Sequence, residues 1–310
     1  MKKFLLNTLL FAIVCLIFAF ALDTILSSRL CQNKNHRMFS YWNHIYNDTT
    51  NYDLVINGNS RALNQYDPMI LDSMLGANSY NFGMGGSSIN RQIIKYLKYC
   101  EMHIPPKYLI QNIDLFTMAN TYGYQREQFF AYFFKDRKLI NELDLYENFS
   151  LLEKYFPCYR YLGYDIIIKE ALLENQFHDS FSQKGYYELN ENWDGVLLSE
   201  TDSVVCSCDT NVVKIFLDFL NEVTLNGTKV IFVYAPIYHE VREKMVNEKK
   251  MYEMYDTIAQ CFDIPILDYN DIPMCYDTTY FYNGTHLNRI GAEVFTTKLA
   301  HDIDSLELLK

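Results

Sequence analysis

The chain has 310 residues, of which 49% are hydrophobic, and its formal net charge is −11. A chain of this length can bury a full core, either in one large domain or in one domain with an insertion. The acidic balance and the lack of a long basic cluster argue against nucleic acid as a partner, because phosphate binding needs a concentrated positive surface.

The N-terminus has the composition of a membrane anchor. Lys2 and Lys3 precede an uncharged run at residues 4–22, FLLNTLLFAIVCLIFAFAL. At about 1.5 Å per residue, a helix of this run is roughly 28 Å long, close to the hydrocarbon thickness of a bilayer. A cleaved signal peptide is the competing interpretation, but the run is longer than a usual signal core and no small-residue cleavage site follows it. We therefore expect an uncleaved anchor and its flank at residues 1–30, joined to the rest by a juxtamembrane connector at 31–52.

The two N-terminal lysines also predict the topology. Positive charges on the short side of an anchor favour the cytoplasm for that side. We expect a single-pass protein of the cytoplasmic membrane, with the bulk of the chain extracytoplasmic, either periplasmic or at the cell surface. The eight cysteines follow no metal-binding pattern, so no metal or other cofactor is expected. Disulfides and free thiols are equally compatible with their spacing.

Beyond the connector, short apolar strands alternate with helices. Five strands are predicted, at residues 53–58, 78–82, 107–114, 229–235 and 264–268. Helices are predicted at residues 61–75, 89–102, 210–225, most of 238–262 and the end of 285–303. This alternation predicts an α/β fold with a parallel sheet covered on both faces. The loops that follow the strands then share one edge of the sheet, where ligands bind in such folds.

The alternation lapses between residues 120 and about 208, which are rich in Tyr, Phe and acidic residues. We interpret this stretch as a mostly helical cap inserted into one α/β domain at residues 53–310.

Two residues at predicted strand ends suggest nucleophilic catalysis. Ser60 lies in NGNSRA, just after the first strand and at the start of a helix. Alone it is better explained as a helix cap. His286 lies in FYNGTHLNRIGAEVF at the entrance of the last helix. A serine nucleophile needs a base within hydrogen-bond reach, and histidine is suited to this role near neutral pH. Loops at the same sheet edge can bring the two together.

Three blocks in this order resemble the SGNH/GDSL hydrolase superfamily. Gly58-Asn59-Ser60 is similar to its first block, Asn81 through Gly86 to its second, and Asn283 through His286 to its D-x-x-H ending. The resemblance spans residues 53–303 apart from the cap and is strongest to membrane-associated SGNH-like envelope proteins, including those of Bacteroides-type bacteria. The chain is more distantly similar to the D-alanine transfer proteins. The resemblance implies a three-layer flavodoxin-like sheet, Ser60 as nucleophile and His286 as base.

The sequence departs from the family at the acid that orients the histidine. Asn283 stands at that position, and a neutral amide stabilises an imidazolium poorly. Asp277 or a backbone carbonyl could take its place, whereas Asp268 and Asp271 are less suitable.

The third block is also irregular, since the chain has QNIDLF after the third strand. Asn112 or Asp114 could occupy the oxyanion-hole position, and otherwise the backbone amides of Ser60 and Gly86 would form the hole.

Asn59, Arg61 and His239 are the remaining candidates for substrate binding. Arg61 could bind an anionic group, although a surface ion pair is its ordinary role, and His239 follows the fourth strand at the same edge.

Two functions from different classes fit these observations. The first is a serine-dependent esterase or O-acyltransferase acting on acyl groups of a cell-envelope polysaccharide or related polymer, with a membrane-bound acyl donor protein as a possible partner. The second is a catalytically weak SGNH-like binding or assembly module, which Asn283 and the irregular third block favour.

Overall fold

A computed structural model describes residues 1–32, 39–115, 118, 126–173, 183–195 and 203–309. The α-helices are α1 (Lys2–Gln32), α2 (Ser40–Asn47), α3 (Ser60–Gln65), α4 (Pro68–Leu75), α5 (Ile89–Met102), α6 (Arg137–Glu147), α7 (Leu151–Tyr155), α8 (Asp165–Leu172), α9 (Thr210–Leu225), α10 (His239–Glu243), α11 (Glu248–Phe262) and α12 (Arg289–Ser305). The strands are β1 (Leu54–Asn57), β2 (Ser79–Asn81), β3 (Tyr108–Asn112), β4 (Val204–Val205), β5 (Lys229–Tyr234), β6 (Met245–Val246), β7 (Ile266–Asp268), β8 (Phe281–Asn283) and β9 (His286–Leu287). Short 3-10 helices lie at Arg126–Tyr132, Tyr159–Tyr161, Gln183–Gly185, Pro273–Tyr276 and Thr278–Tyr280.

The central sheet has five parallel strands in the order β2-β1-β3-β5-β7. These strands fall at the five predicted positions, so the prediction of an α/β fold with a parallel sheet is confirmed. The sheet grows from β1 in both directions, with β2 on one side and the other three strands on the opposite side. Such a reversal of strand order opens a crevice beyond the carboxyl ends of the strands, between β1 and β3.

Helices cover both faces of this sheet. On one face, Leu54 and Ile56 share a buried cluster with Tyr66, Leu71 and Phe295, from the β1–α4 segment and α12. On the other face, the ring of Phe232 lies between those of Phe216 on α9 and Tyr255 on α11, at centroid distances of 5.9 Å and 6.2 Å. Successive side chains of a strand point to opposite faces of the sheet, so a strand made of apolar residues contributes to the core on both faces.

Two predicted helices are divided in the structure. The helix predicted at 61–75 is α3 followed by α4, because Pro68 opens α4 and Asp67 caps it by accepting from the Met69 amide at 2.8 Å. The long helix predicted within 238–262 is interrupted by β6 and by Asn247, whose φ of 68° lies in the left-handed region. The short β6 pairs in parallel with β4.

The chain divides into two compact units. The first comprises Met1–Asp48 with Gln125–Ser180, and the second comprises Thr49–Tyr124 with Phe181–Lys310. The predicted division into an anchor, a connector and a domain with a cap stays a prediction. Residues 120–125, 174–182 and 196–202 of that cap lie outside the described ranges.

The first unit is built around the C-terminal third of α1. Leu26 and Leu30 are buried, and the Asn43 side chain on α2 donates to the Leu30 carbonyl at 2.7 Å. Trp42 is fully buried with its ring 5.7 Å from that of Phe129. The remainder of α1 is exposed and apolar, and α1 is the one helix in the described part of the chain that is long and apolar enough to span a membrane.

All eight cysteines lie within the described ranges, and each is a free thiol.

Candidate active site

Ser60 is the first residue of α3, immediately beyond β1. Asn59 caps the helix, because its Oδ1 accepts from the Arg61 amide at 3.0 Å. A side chain at Gly58 would place its Cβ 2.6 Å from Ala62 Cβ and 2.8 Å from Asn112 Cβ. Glycine therefore allows the chain to pass from β1 into α3 close over the end of β3, with Ser60 only partly buried at the sheet edge.

His286 faces this serine. Its Nε2 lies 2.8 Å from Ser60 Oγ, and its Nδ1 lies 3.0 Å from Asn283 Oδ1. The histidine begins β9 of the β8–β9 hairpin, directly before α12. Ser60 and His286 are 226 residues apart in the chain. As expected from the sequence, the segments that carry them meet at hydrogen-bond distance.

The hairpin determines which ring nitrogen of His286 carries the proton. The backbone amides of Thr285 and His286 both donate to Asn283 Oδ1, each at 3.0 Å. These two donors orient the amide with its oxygen toward the ring, so Nδ1 must be the donor to Asn283. The lone pair on Nε2 then accepts from the Ser60 hydroxyl, which is the arrangement a general base requires.

Burial and, to a smaller extent, the positive charge of Arg61 together lower the pKa of His286 to about 4. The imidazole is therefore neutral, and able to accept a proton, throughout the physiological range. The neutral Asn283 offers no negative charge to stabilise the imidazolium that forms when the ring accepts this proton.

Asp277 does not take the place of the missing acid. Its exposed carboxylate accepts from the Thr279 amide at 2.9 Å and from the Thr279 hydroxyl at 2.7 Å. These bonds lower the pKa of Asp277. The structure places Asn283, rather than Asp277, beside His286 Nδ1.

The residues proposed for the oxyanion hole differ in their surroundings. Asn112 is buried at the end of β3, where its Oδ1 accepts from the Tyr66 hydroxyl at 2.7 Å. Its Nδ2 is buried and has no hydrogen-bond partner in the described part of the chain. Gly86 lies in the turn after β2 with a φ of 63°, and this turn is joined to the Ser60 loop by the bond from the Met84 amide to the Gly58 carbonyl, at 3.1 Å.

Asp114 contacts the loop that carries Ser60. Its buried carboxylate accepts a hydrogen bond from the Asn59 side chain. A carboxylate cannot donate to an oxyanion, so Asp114 supports the serine loop instead. The Asn59 side chain thus bonds to Asp114 and to the Arg61 amide, and its contact with a substrate stays a prediction.

Arg61 is buried beside the pair rather than at the surface. Its Nη2 donates to the carbonyls of Ala235 and Pro236, just beyond β5. Its Nε and Nη1 are buried without a partner among the residues that the structure describes. The ordinary interpretation of Arg61 as a surface ion pair is therefore wrong.

His239 is partly exposed on α10, with its ring stacked on Tyr276 at 4.7 Å and its Nδ1 3.4 Å from Glu243. The loop before it is tied to the hairpin, because the Tyr238 amide donates to the Gly284 carbonyl at 3.1 Å. The structure thus places His239 beside the hairpin loop, but records no contact between its ring and Ser60 or His286.

Sequence reasoning missed an aromatic group and a hydroxyl near the hairpin. The ring of Tyr238 lies 5.0 Å from that of Trp193 and 5.6 Å from that of Phe281, both in edge-to-face contact. The Thr285 hydroxyl lies 3.1 Å from His286 Nδ1. The Asn-Gly-Thr-His spacing could have indicated Thr285, since an Asn side chain commonly bonds to the backbone two residues on. The packing of Trp193 has no such local signal.

No family model and no curated protein matches the chain. Among solved structures, it is similar to a protein provisionally named a platelet activating factor from Streptococcus pneumonia, with 12% identity and a TM-score of 0.40 over 88% of this chain and 94% of that one. It is also similar to a protein provisionally named an acylhydrolase from Bacteroides fragilis, with 12% identity and a TM-score of 0.37 over 80% and 86% of the two chains. Likenesses at this level carry no argument about activity. An activity can therefore be inferred only from the geometry of the site.

Proposed function

We propose that the protein is a serine-dependent esterase or O-acyltransferase of the SGNH type, with a flavodoxin-like sheet. The observation that carries this proposal is the chain of contacts from Ser60 Oγ to His286 Nε2 at 2.8 Å and from Nδ1 to Asn283 Oδ1 at 3.0 Å. A nucleophile, a base and a residue that orients the base are the three parts that acyl transfer through a serine requires.

Ser60 Oγ attacks the ester carbonyl while His286 Nε2 accepts the hydroxyl proton. The resulting oxyanion is held by donors such as the backbone amides of Ser60 and Gly86 and the unpartnered Asn112 Nδ2. The imidazolium then gives its proton to the departing alcohol, leaving an acyl-serine. Water or a sugar hydroxyl completes the cycle, with His286 accepting its proton and returning it to Ser60.

Arg61 supplies positive charge where negative charge develops. Its two unpartnered nitrogens are buried next to the serine helix, and a positive charge in a site of low dielectric stabilises an oxyanion or an anionic substituent of the substrate. The same charge disfavours the imidazolium of His286. We expect turnover to be slow for this reason, and because Asn283 is neutral.

The substrate is proposed to be an O-acylated polysaccharide or related polymer of the cell envelope. The apolar α1 supports an enzyme held at the cytoplasmic membrane with its site extracytoplasmic. The aromatic group of Tyr238, Trp193 and Phe281 beside the hairpin suits a sugar ring or an acyl chain. A membrane-bound acyl donor protein would be needed only if the reaction is transfer.

The test is hydrolysis of acetylated oligosaccharides and of a simple aryl acetate by the full-length protein in detergent. We expect activity to be lost in Ser60→Ala and to persist in Ser305→Ala, a matched serine at the exposed end of α12. Full activity of Ser60→Ala on every ester would overturn the proposal.

A catalytically weak binding module is the second candidate function. The neutral Asn283 beside His286 and the low pKa of that histidine are the observations that favour it. Binding of an acylated glycan with the same affinity by the unmodified protein and by Ser60→Ala, without turnover by either, would support this candidate over the enzyme.

A further inference from the structure

The first unit exposes apolar side chains at unusual density between residues 151 and 173. Ten of these residues are exposed large hydrophobics: Leu151, Leu152, Tyr155, Phe156, Tyr159, Leu162, Tyr164, Ile166, Leu172 and Leu173. Leu162 and Ile166 are 67% and 68% exposed. A concentrated apolar surface of this kind on a folded unit usually marks an interaction site.

Contacts within the same unit give the position of this surface along α1. The Cys158 thiol donates to the Ala19 carbonyl at 3.2 Å, and the Cys158 amide donates to the Asp23 carboxylate at 2.6 Å. Arg160 makes two bonds of 2.6 Å to that carboxylate. The segment from Phe156 to Leu162 therefore lies at the level of residues 19–23, where the apolar run of α1 ends.

The other end of the surface is farther along the helix. The Arg29 side chain donates to the Leu172 carbonyl at 3.2 Å. Arg29 is six residues beyond Asp23, which corresponds to about 9 Å of helix rise. Phe156 and Tyr159 thus lie nearer to the apolar run than Leu172 does.

We propose that residues 151–166 form a second membrane contact, which inserts into the interfacial layer of the leaflet from which α1 emerges. The inference depends on residues 4–22 spanning the bilayer and is independent of the proposed chemistry. Four exposed aromatic residues, Tyr155, Phe156, Tyr159 and Tyr164, lie in this segment, and such rings are favoured at the boundary between headgroups and acyl chains. Monotopic surfaces of this type bury their apolar side about 5–10 Å deep.

Lipid is favoured over a second copy of the chain as the partner of this surface, because the surface is continuous with the apolar side of α1. The buried Asp23–Arg160 pair removes the first charges after the apolar run from contact with lipid, and the apolar surface of α1 continues onto the loop around Cys158. At this level of a spanning helix, the exposed apolar side chains of the segment lie at the depth of the interfacial layer. With two membrane contacts, the first unit would be held in a defined orientation on the bilayer rather than tethered at one point.

The test is quenching of tryptophan fluorescence by brominated lipid in nanodiscs that each hold one full-length chain. Phe156→Trp probes the surface, Leu172→Trp is the matched control farther from the bilayer, and Val14→Trp reports on the anchor. Trp42 and Trp193 remain in every variant, so differences between variants isolate the added ring. We expect Phe156→Trp to lose at least about twice as much intensity as Leu172→Trp, most strongly with bromine near the headgroups.

Three results would overturn the proposal. Quenching of Val14→Trp alone would leave the anchor in place and refute the second contact. Quenching of none of the three would refute both the second contact and the spanning helix on which it depends. A blue-shifted but unquenched Phe156→Trp that appears only in discs with two chains would assign the surface to a second copy.

Discussion

Arg160 in the first unit and Arg61 in the second are both buried, but their surroundings are opposite. Arg160 in the first unit makes a bidentate pair with Asp23 and donates from Nε to the Phe130 carbonyl at 2.7 Å. Within the described ranges, Arg61 in the second unit donates only to backbone carbonyls and retains two unpartnered nitrogens. A buried charge with a complete set of partners holds a structure together, whereas one with unused donors costs stability and is kept where a ligand or a transition state can use it.

The Asp23–Arg160 pair should carry the greatest effect on stability. Arg160→Met leaves Asp23 buried without its cation, which costs about 3–5 kcal/mol. We expect a large drop in thermal stability and rapid proteolysis of the 126–173 segment in the full-length protein in detergent. Arg289→Met, which removes an exposed ion pair with Glu293, is the control and should cost less than about 1 kcal/mol. Equal stability of the two variants would show that the buried pair is not structural.

Asn283→Asp should raise activity by restoring the missing charge. The two backbone amides that bond to Asn283 Oδ1 can hold a carboxylate in the same place, and its charge would stabilise the imidazolium. In serine proteases, Asp→Asn costs roughly 10⁴-fold because the tautomer also becomes wrong. Here the tautomer is already correct, so we expect a smaller gain in kcat of about 10- to 100-fold. Asn283→Ala, which loses the orienting contact, should lower kcat, and an unchanged rate in both variants would exclude this role for residue 283.

The acid limb of the pH–rate profile should report the low pKa of His286. The base form is lost only as the pH falls through about 4, so kcat/KM should be constant down to about pH 5. Arg61→Gln removes one cause of the lowered pKa, and we expect the limb to move upward by about one unit or less, because burial remains the larger cause. An acid limb near pH 6.5 in the unmodified protein would contradict the buried, neutral imidazole.

The same pKa predicts how stability depends on pH. Since the pKa of His286 is lower in the folded protein than in the unfolded chain, the unfolded state binds more protons between about pH 6.5 and pH 4. The contribution of His286 should therefore reduce stability as the pH falls through this window. His286→Gln should lose that part of the pH dependence in thermal unfolding.

Asp277→Asn should have the smallest effect. Its carboxylate bonds only to Thr279 among the residues the structure describes and is exposed, so kcat should be unchanged. A sharp fall in kcat would restore Asp277 as the acid of the site.

The sequence was sufficient where the signal is local or follows from topology. Four of the five strands lie in short, largely apolar runs, and parallel topology brings the segments that follow the strands to one edge. That reasoning was enough to expect Ser60 close to His286. It also placed helix α5, whose apolar spacing is regular.

The remaining features depend on contacts for which the sequence gives little or no signal. The backbone amides of Thr285 and His286 reach Asn283 Oδ1 only once the β8–β9 hairpin has closed. From the sequence, Asn283 was interpreted as a poor substitute for the acid, whereas in the structure its side chain is held in a fixed orientation toward the ring. Asp23 and Arg160 are 137 residues apart, and nothing near either residue predicts their pairing. The left-handed conformation of Asn247 ends a segment that apolar spacing alone would continue as helix.

The most direct test of the catalytic pair is to map the residue modified when the full-length protein is treated with a fluorophosphonate, which reacts with serines activated by a base. Mass spectrometry should find the adduct on the peptide that contains Ser60. The rate of its formation should fall sharply in His286→Gln and should be unchanged in Asp277→Asn. No adduct on Ser60, or labelling of Ser60 at the same rate in His286→Gln, would contradict a nucleophile and base formed by these two residues.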